Sequence, residues 1–436
     1  MKEIRVGLLG FGTIGTGVVK LLEQNASLIE KRAGIRVRLT RIADLDIETD
    51  RGIDIDRSLL TTDAGDVLDN PDIDVVIELI GGYEPARSFV LRAIENGKHV
   101  VTANKALLAL HGKEIFSAAA QKGVEVLFEA AVGGGIPIIT SLKENLCANR
   151  FRTVFGILNG TCNYILSRMT HEGQEFAAVL KEAQQAGYAE ADPTFDIEGV
   201  DTAHKLALLV GICFGTTIDF DAIHTEGISS ITSQDIRFAD QFGYRIKLLA
   251  IGKLHEDGTI EARVHPTMIP KNYPMADVDG AFNAVRVVGD FVGPVMQYGL
   301  GAGMDATASA VVGDVMALAR NLMVGSGPRT HGLGCHPGQL DKLAVRPMAD
   351  IESQFYLRFT TVDRPGVLAA ISGILGKHGI SISSMIQPER HEAEAVPIVI
   401  MTHEAREADV QTALAEIDNL DIVREKSYLI RIEGQL

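Results

Sequence analysis

An aspartate and a lysine four residues apart, Asp201 and Lys205, stand directly before the apolar run LALLVGICF. On a helix this spacing places both side chains on one face, where an exposed pair would contribute only about 0.3 kcal/mol. The apolar run predicts a buried helix, and a buried lysine beside a carboxylate can transfer protons. The pair therefore predicts general acid–base chemistry, and an ordinary ion pair is the alternative.

Acidic residues crowd the segment that leads to this pair, Gly187–Lys205, which reads GYAEADPTFDIEGVDTAHK. Its glycine and proline residues predict a loop before the helix, so that several carboxylates can face one cleft. An acidic cleft suits a substrate that carries an ammonium group. The five carboxylates of the segment are Glu190, Asp192, Asp196, Glu198 and Asp201.

A glycine motif, GFGTIG, lies between the first apolar stretch and the first helical pattern. Gly10 permits a tight turn, Gly12 lets the backbone approach a pyrophosphate, and Gly15 lets the helix pack on the strand. Free N–H groups at the start of that helix would face the phosphates. The motif predicts a dinucleotide site formed by Gly10, Phe11, Gly12, Thr13, Ile14 and Gly15.

The nucleotide that this site prefers depends on the end of the second predicted strand, RIADLD. Asp44 can accept a hydrogen bond from the ribose 2′-hydroxyl of NAD, whereas Arg41 could pair with the 2′-phosphate of NADP. A solvated loop carboxylate is the alternative for Asp44. The choice between NAD and NADP stays open, with NAD favoured.

Two further strand ends carry candidate ligands. VVTANK places Thr102 and Lys105 at the carboxyl end of a strand, where open α/β sheets bind ligands, although Lys105 could also be a surface lysine that begins a helix. EAAVGGGIP places three glycines after another strand, so that backbone carbonyl groups could converge on a small cation. A turn that only needs positive φ explains these glycines equally well.

Strand and helix patterns alternate through the first third of the chain, which predicts a parallel sheet with helices on both faces. We therefore expect an α/β protein with a Rossmann-type doubly wound parallel sheet in residues 1–140. An α+β catalytic and dimerisation domain follows in residues 141–302, and a linker rich in glycine and proline in residues 336–351. The patterns in residues 352–436 follow the order βαββαβ, the ferredoxin-like arrangement.

Composition and charge exclude several classes of protein. The 436-residue chain has a net charge of −16, which argues against a general nucleic-acid-binding protein. Its four cysteines form no C-x-x-C pair and predict free thiols in a reducing cytoplasm. The first residues lack the pattern of a signal peptide, and no apolar run approaches the about 18 residues that span a membrane. We therefore expect a cytoplasmic protein.

Several of these motifs together resemble the homoserine dehydrogenase family, and they occur in the family's order over nearly all of residues 1–335. The most specific of them is the acidic segment Gly187–Lys205. Near the C-terminus, VDRPGVLAAISGILGKHGISISSM resembles an ACT domain, a module that commonly binds amino acids and regulates the attached enzyme. The family motifs are GFGTIG, IELIGGYEPA, VVTANK, FEAAVGGGIPII, GILNGTCNYIL, GYAEADPTFDIEGVDTAHKLALL and GAGMDATASAVVGD.

The resemblance implies roles for the residues of the acidic cleft. Lys205 would exchange the proton at the substrate oxygen, and Asp201 would hold Lys205 or the substrate. Glu190 would bind the amino group of homoserine, and Lys105 would lie between cofactor and substrate. The implied substrate-binding residues are Glu190, Asp196, Thr161 and Lys105.

The resemblance also implies a discontinuous first domain and a structural sodium ion. Gly303 would return to the nucleotide site, so that residues 303–335 complete the first domain. Ala43 stands where many relatives carry an arginine, which weakens the case for NADP. No aspartokinase-like segment precedes GFGTIG, which implies a monofunctional enzyme. The implied sodium ligands, mostly backbone carbonyl groups, belong to Glu129, Val132, Gly134 and Ile136.

These features predict an enzyme that interconverts L-homoserine and L-aspartate 4-semialdehyde with a nicotinamide cofactor, in threonine, methionine and isoleucine biosynthesis. A nucleotide- and amino-acid-binding sensor without turnover is the alternative, although the intact Asp201–Lys205 pair argues against it. A dehydrogenase with an ACT tail that acts on phosphoglycerate or prephenate would need basic residues for its anionic substrate.

For the tail, L-threonine is the expected effector. Asp363 opens the turn DRPGVL, and Gly366 would let backbone N–H groups meet a ligand carboxylate at the start of the helix. A domain that only mediates oligomerisation is the alternative. ACT-like domains usually pair at their sheet edges, which predicts a homodimer or homotetramer. Removing the chain from residue 352 onwards is expected to abolish inhibition by threonine and to spare catalysis.

Overall fold

The computed structural model describes residues 3–217, 219–387 and 395–434. The predicted start of the first domain, residue 1, and the predicted end of the last domain, residue 436, lie outside this described part. Two sheets organise the described residues, one with six strands and one with eleven.

Six strands, all paired in parallel, form the sheet of the first third of the chain. They are β1 (Glu3–Leu9), β2 (Arg36–Ala43), β3 (Leu60–Thr61), β4 (Val75–Glu78), β5 (His99–Thr102) and β6 (Val126–Leu127). Their helices are α1 (Thr13–Gln24), α2 (Ala26–Ala33), α3 (Gly65–Leu68), α4 (Ala86–Glu95) and α5 (Lys105–Lys122). The spatial order β3-β2-β1-β4-β5-β6 changes direction between β1 and β4, where open sheets bind ligands.

The middle of the chain forms a second layer of strands and helices. Its strands are β7 (Phe151–Ile157), β8 (His224–Thr225), β9 (Tyr244–Leu254), β10 (Ile260–Pro270), β11 (Phe282–Gly289) and β12 (Gly293–Leu300). Its helices are α6 (Ile138–Thr140), α7 (Gly160–Glu172), α8 (Phe176–Gln185), α9 (Thr194–Ile197), α10 (Val200–Phe214) and α11 (Ser233–Gln241). Every residue of α10 from Asp201 onwards is buried, as its apolar composition predicts.

Helix α12 (Met304–Val324) returns the chain to the first sheet. A Cβ atom placed on Gly17 of α1 would lie 2.7 Å from the side chain of Met304 and 3.2 Å from that of Ala308, so the two helices pack closely because this residue is glycine. By length and composition alone α12 could cross a membrane, but half of its apolar window is buried inside the protein. Inspection of uninterrupted apolar runs misses this helix because polar residues interrupt it. The packing of α12 supports a discontinuous first domain, whose bounds stay a prediction.

The C-terminal part of the chain has the ferredoxin-like arrangement that the sequence predicts. Its elements are β13 (Glu352–Thr361), α13 (Val367–Lys377), β14 (Ile382–Ile386), β15 (Val396–Thr402), β16 (Ala405–Arg406), α14 (Glu407–Asp418) and β17 (Val423–Ile432). The four main strands are antiparallel in the order β17-β13-β15-β14. The predicted α/β fold class, with its parallel nucleotide-binding sheet and ferredoxin-like tail, is confirmed.

The tail is continuous with the middle of the chain, although its pattern looks separate in the sequence. β10 and β17 pair in parallel at Thr267–Arg431 and Met268–Ile432, which joins both regions into one sheet. Its path is β12-β11-β7-β9-β10-β17-β13-β15-β14, with β8 on β10 and β16 on β13. At the junction the buried guanidinium of Arg431 binds the carboxylates of Glu226 at 2.8 and 2.9 Å and of Glu407 at 2.7 and 2.9 Å.

Candidate active site

The loop between β1 and α1 has the shape that a dinucleotide-binding turn requires. Gly10 has a φ of 96°, and a Cβ atom there would lie 2.8 Å from the backbone of Leu79. A Cβ atom on Gly15 would lie 2.2 Å from the carbonyl oxygen of Gly10, so this position also excludes a side chain. A Cβ atom on Gly12 would meet nothing within 4 Å. The open space over Gly12, at the N-terminus of α1, fits a pyrophosphate and supports the predicted nucleotide site.

Two of the predicted cofactor residues make hydrogen bonds within the protein. The carboxylate of Asp44 accepts from the backbone N–H groups of Phe11 and Asp46, at 2.5 and 2.8 Å. It therefore ties the end of β2 to the glycine loop, and its remaining lone pairs could serve a ribose hydroxyl. The hydroxyl of Thr102 donates to the buried carboxylate of Glu78 at 2.6 Å, which holds the ends of β4 and β5 together. Their contacts with the cofactor stay predictions.

Three charged side chains meet at the N-terminus of α10. The Lys205 Nζ atom lies 2.7 Å from Oδ2 of Asp201, and both residues are buried. Lys105, the first residue of α5, places its Nζ atom 3.2 Å from Oδ1 of the same carboxylate. Lys205 also donates to the carbonyl oxygen of Leu158 at 2.6 Å, which fixes the direction of its ammonium group. Helical spacing predicts the contact between Lys205 and Asp201. The contact between Lys105 and Asp201 depends on the tertiary structure, because the two residues are far apart in the sequence.

Asn159 joins this cluster to another carboxylate. Its Nδ2 atom donates to Oδ1 of Asp196 at 2.7 Å and to Oδ2 of Asp201 at 2.9 Å. Its Oδ1 atom accepts from the N–H group of Cys162 at 2.8 Å and so caps α7. The hydroxyl of Thr161 lies 3.3 Å from Oδ2 of Asp196, so the structure places these two predicted substrate-binding residues side by side.

Asp201 and Asp196 have opposite pKa shifts. Burial raises the pKa of Asp201, but the ammonium groups of Lys205 and Lys105 outweigh burial and hold this pKa well below its usual range. Burial raises the pKa of Asp196 above its usual value, against the hydrogen bond from Asn159, and the charge of Asp201 raises it further. On acidification, Asp196 therefore becomes neutral at a higher pH than Asp201 does.

A cavity of about 800 Å³ opens over this cluster. Ile14 of the glycine motif lines it on the nucleotide side, together with Gly134 and with Gly303 at the start of α12. On the opposite side, Asp201, Lys205 and Lys105 line the same cavity, so a cofactor and a small substrate can meet there. The polar lining residues of that side are Lys105, Asn159, Thr161, Tyr164, Tyr188, Asp196, Asp201 and Lys205.

Sequence reasoning misses three of these lining residues. The rings of Tyr164 and Tyr188 stack with their centroids 4.5 Å apart, a contact between α7 and the acidic loop that no local pattern indicates. Asn159 stands before Gly160 in GILNGTC, between a predicted strand and a predicted helix. An asparagine in that position is typical of a helix N-cap, and this pattern would have identified it. Glu190, in contrast, is exposed and lies outside the lining, so its contact with a substrate amino group stays a prediction.

The predicted sodium site lies in the glycine-rich turn after β6. The carboxylate of Glu129 accepts from the N–H groups of Ile139 and Thr140, at 2.7 and 2.8 Å, and so caps a helical turn. Gly134 has a φ of 55°, and a Cβ atom there would lie 2.5 Å from the backbone of Gly301. In the described ranges no group of three or more His, Cys, Asp or Glu side chains could hold a metal ion. A sodium ion would therefore depend on backbone carbonyl groups.

A second cleft, of about 480 Å³, lies in the C-terminal domain at the start of α13. Asp363 and Gly366, the predicted effector residues, both line it, together with Arg364 and Gln387. Gly366 has a φ of 91° and caps α13, whose first N–H groups are suited to a ligand carboxylate. The ligand of this cleft stays a prediction.

Three family models match the chain. The model of homoserine dehydrogenase matches residues 137–316, and that of the homoserine dehydrogenase NAD-binding domain matches residues 10–129. The ACT domain model matches residues 355–421. Along the chain, the three matches contain the glycine loop, the Asp201–Lys205 pair and the C-terminal cleft, in that order.

Full-length relatives agree with these matches. The homoserine dehydrogenase of Pseudomonas aeruginosa is 48% identical over 434 residues, which cover 99% of this chain and 99% of the relative. That of Neisseria gonorrhoeae is 46% identical over 434 residues, with coverage of 100% and 99%. The crystal structure of a homoserine dehydrogenase from Thiobacillus denitrificans has a TM-score of 0.94 at 50% identity, covering 100% of this chain and 99% of that one.

Proposed function

This chain belongs to the homoserine dehydrogenase family of NAD(P)-dependent oxidoreductases, and from that premise we propose that its cavity interconverts L-homoserine and L-aspartate 4-semialdehyde. The observation that carries the proposal is the buried Asp201–Lys205 pair, with Lys105, in a cavity that the glycine motif also lines. Family membership confirms the predicted enzyme and argues against a sensor without turnover.

In the proposed reaction the protein moves one proton while the nicotinamide, when bound, accepts or supplies the hydride at the substrate carbon. The ammonium group of Lys205 donates a proton to the carbonyl oxygen when the semialdehyde is reduced. In the reverse direction the neutral amine of Lys205 accepts the hydroxyl proton of homoserine. Asp201 and the carbonyl of Leu158 hold the Nζ atom in place, and Lys105 stabilises charge that develops on the oxygen.

Recognition of the substrate is assigned to the acidic side of the cavity. Asp196 and Thr161 line it, and their carboxylate and hydroxyl oxygens can accept hydrogen bonds from an ammonium group. Glu190, on the exposed part of the acidic loop, adds negative charge. The same carboxylates repel a substrate that carries additional negative charge, which is why phosphoglycerate and prephenate fit this cavity poorly.

The C-terminal cleft supports regulation by an amino acid. We assign it L-threonine, the product of the pathway that homoserine enters, and we place the enzyme in threonine, methionine and isoleucine biosynthesis. Support comes from the ACT domain match and from Gly366, which exposes the N-terminus of α13 to the cleft. The carboxylate of Asp363, which lines the same cleft, can accept a hydrogen bond from the effector's amino group.

Three further assignments complete the proposal. A structural sodium ion would be held by the backbone carbonyl groups of the glycine-rich turn, which are oxygen ligands of the kind that hard cations prefer. The enzyme would be a cytoplasmic homodimer or homotetramer that binds neither nucleic acid nor membranes. β14, at the end of the eleven-stranded sheet, is the edge at which two tails would pair.

The proposal is tested by incubating the purified chain with L-homoserine and either NAD or NADP while the absorbance of the reduced nicotinamide is followed. Reduction that depends on homoserine supports the reaction, and the two initial rates give the preferred nucleotide. A decrease of the rate on addition of L-threonine supports the effector. Folded protein that reduces neither nucleotide would refute the proposed reaction.

A further inference from the structure

Asn159 is held rigidly between the two carboxylates of the cavity. It is buried, and its Nδ2 atom lies 2.7 Å from Oδ1 of Asp196 and 2.9 Å from Oδ2 of Asp201. Its Oδ1 atom accepts from the N–H group of Cys162 at 2.8 Å. The amide group is therefore fixed at both ends, because any rotation would leave a buried polar group without its partner.

The carboxylate oxygens of Asp201 and Asp196 have different partners. Asp201 receives Lys205 on Oδ2 and Lys105 on Oδ1, whereas Oδ2 of Asp196 lies beside the hydroxyl of Thr161 in the cavity. The buried carboxylate of Asp201 and the partly buried carboxylate of Asp196 repel each other, because they are less screened than two carboxylates in water. A neutral group that donates one hydrogen bond to each anion offsets this repulsion.

We propose that Asn159 is a positioning residue for the oxidation and reduction of the substrate. Its amide group keeps Asp196 ionised and turned towards the substrate's ammonium group, and keeps Asp201 aligned with Lys205. The inference rests on the proposed function, which supplies the ammonium-bearing substrate. It goes beyond that function because it gives a role to a residue that the proposed function assigns neither to proton transfer nor to substrate binding.

The inference predicts how substrate binding changes with pH. The hydrogen bond from Asn159 lowers the pKa of Asp196 against burial, so losing this bond raises that pKa further. The neutral form of Asp196, which attracts an ammonium group less, then appears at a higher pH. The groups that face Asp196 from the neighbouring helices are Asp201 and Lys205 on α10, Lys105 on α5 and Cys162 on α7.

The test uses Asn159→Ser and Asn159→Asp in the full chain. Both replacements keep an oxygen that can cap α7, but neither has the amide nitrogen that donates to the carboxylates. We expect KM for L-homoserine to rise about tenfold or more, and its increase at acid pH to begin at a higher pH. Asn159→Asp should have the larger effect because it adds a third carboxylate. The affinity for NAD(P) should not change.

A matched control is Asn321→Ser. Asn321 is also a buried asparagine, and its Nδ2 atom donates to the carboxylate of Glu125 at 3.1 Å, outside the cavity. This variant should keep the wild-type KM and pH profile. In an Asp196→Asn background, Asn159→Ser should produce no further shift of the pH profile, because the titrating carboxylate is absent.

The outcomes separate a positioning role from a purely structural one. If both Asn159 variants melt at a lower temperature but keep the wild-type KM and pH profile, the residue is only a helix cap and the inference is wrong. If the wild-type chain turns over no homoserine, the proposed function itself fails, which is a different result. A shifted pH profile with a wild-type affinity for NAD(P) supports the inference.

Discussion

At the scale of single residues, the carboxylate of Asp201 has one lysine on each oxygen, and these lysines come from different parts of the chain. Lys205 lies one helical turn further along α10, whereas Lys105 begins α5 beside the nucleotide-binding sheet. The carboxylate therefore holds Lys205, the proposed proton-transfer residue, close to the lysine that begins α5. Of the two lysines, Lys205 is buried and Lys105 is partly exposed to the cavity.

Replacing Lys205 by methionine keeps the bulk of the side chain and removes the ammonium group that we propose exchanges the proton. We expect kcat to fall by about 100-fold to 10,000-fold, the range for loss of a general acid–base group, with the affinity for NAD(P) unchanged. Steady-state kinetics and nucleotide titration measure the two effects. Lys271→Met, which removes a surface lysine paired with Asp240, is the control and should keep its kcat. A wild-type kcat in Lys205→Met would refute the proton-transfer role.

The pH dependence of substrate binding should follow Asp196. Burial raises the pKa of this aspartate, so on acidification it becomes neutral at a higher pH than an exposed aspartate does. KM for homoserine should therefore be low at neutral pH and rise as the pH falls through that raised pKa. Asp196→Asn should have a high KM that changes little over the same pH range. A wild-type pH profile in this variant would show that another group binds the ammonium.

At the scale of secondary structure elements, α10 is a buried helix with a charged residue, Asp201, at its N-terminal end. Gly199, with a φ of 82°, is the N-cap that precedes the helix, and Gly215, with a φ of 62°, is the C-cap that follows it. Asp201 lies in the first turn, where the partial positive charge of the helix N-terminus favours an anion. The apolar remainder of the helix fixes the position of that turn in the core, so the charged end cannot move independently.

Two glycines of the β1–α1 loop should respond differently to alanine. Gly12→Ala adds a methyl group to open space at a φ of −70°, so the protein should melt normally but bind NAD(P) at least about tenfold more weakly. Gly15→Ala places the methyl group 2.2 Å from the carbonyl oxygen of Gly10 and should lower the melting temperature as well. Thermal melting and nucleotide titration of both variants make the comparison. Normal NAD(P) affinity in Gly12→Ala would contradict the predicted pyrophosphate position.

At the scale of the whole molecule, the C-terminal domain and the middle of the chain share a sheet and are joined by ion pairs. Besides Arg431, the side chain of Arg358 donates to the buried carboxylate of Asp235 on α11 at 2.7 Å, and the hydroxyl of Tyr356 donates to it at 2.8 Å. The segment that carries Glu226 also contacts the acidic loop, since Ile228 donates its N–H group to the carbonyl of Ile197 at 2.8 Å. The structure thus provides contiguous contacts between the C-terminal domain and the acidic loop that borders the cavity.

Removing residues 352–436 should therefore destabilise the remaining enzyme, contrary to the expectation from sequence that catalysis would be spared. The truncation leaves the buried carboxylate of Asp235 without Arg358, and loss of one member of a buried ion pair costs about 3–5 kcal/mol. It also removes Arg431 from Glu226, whose partly exposed side chain loses less. Calorimetry should show a lower melting temperature, and activity should fall with or without threonine. A truncated chain with wild-type stability and kcat would show that the shared sheet is dispensable.

A point variant in the cleft tests regulation without disturbing the sheet. Gly366→Ala puts a side chain at a φ of 91°, which only glycine adopts readily, and so moves the N–H groups at the start of α13. We expect normal kcat and a weaker response to threonine. Titration of threonine in the activity assay measures this response. Unchanged inhibition would place the effector elsewhere.

By itself, the sequence determined the local features of this protein. The glycine loop, the burial of α10, the Asp201–Lys205 contact and the βαββαβ order all depend on the conformation of neighbouring residues, which local spacing specifies. The family motifs added the candidate roles of residues such as Asp196 and Thr161.

Only the tertiary structure decided which distant residues meet. Lys105 reaches Asp201, Asn159 bridges two carboxylates, and β17 joins β10 because the burial of apolar faces brings separate segments together, and no local pattern encodes that choice. The same packing joins the C-terminal tail, which looks independent in the sequence, to the eleven-stranded sheet of the middle of the chain. It also left Glu190 outside the cavity lining, since the position of a loop depends on the surfaces that it packs against.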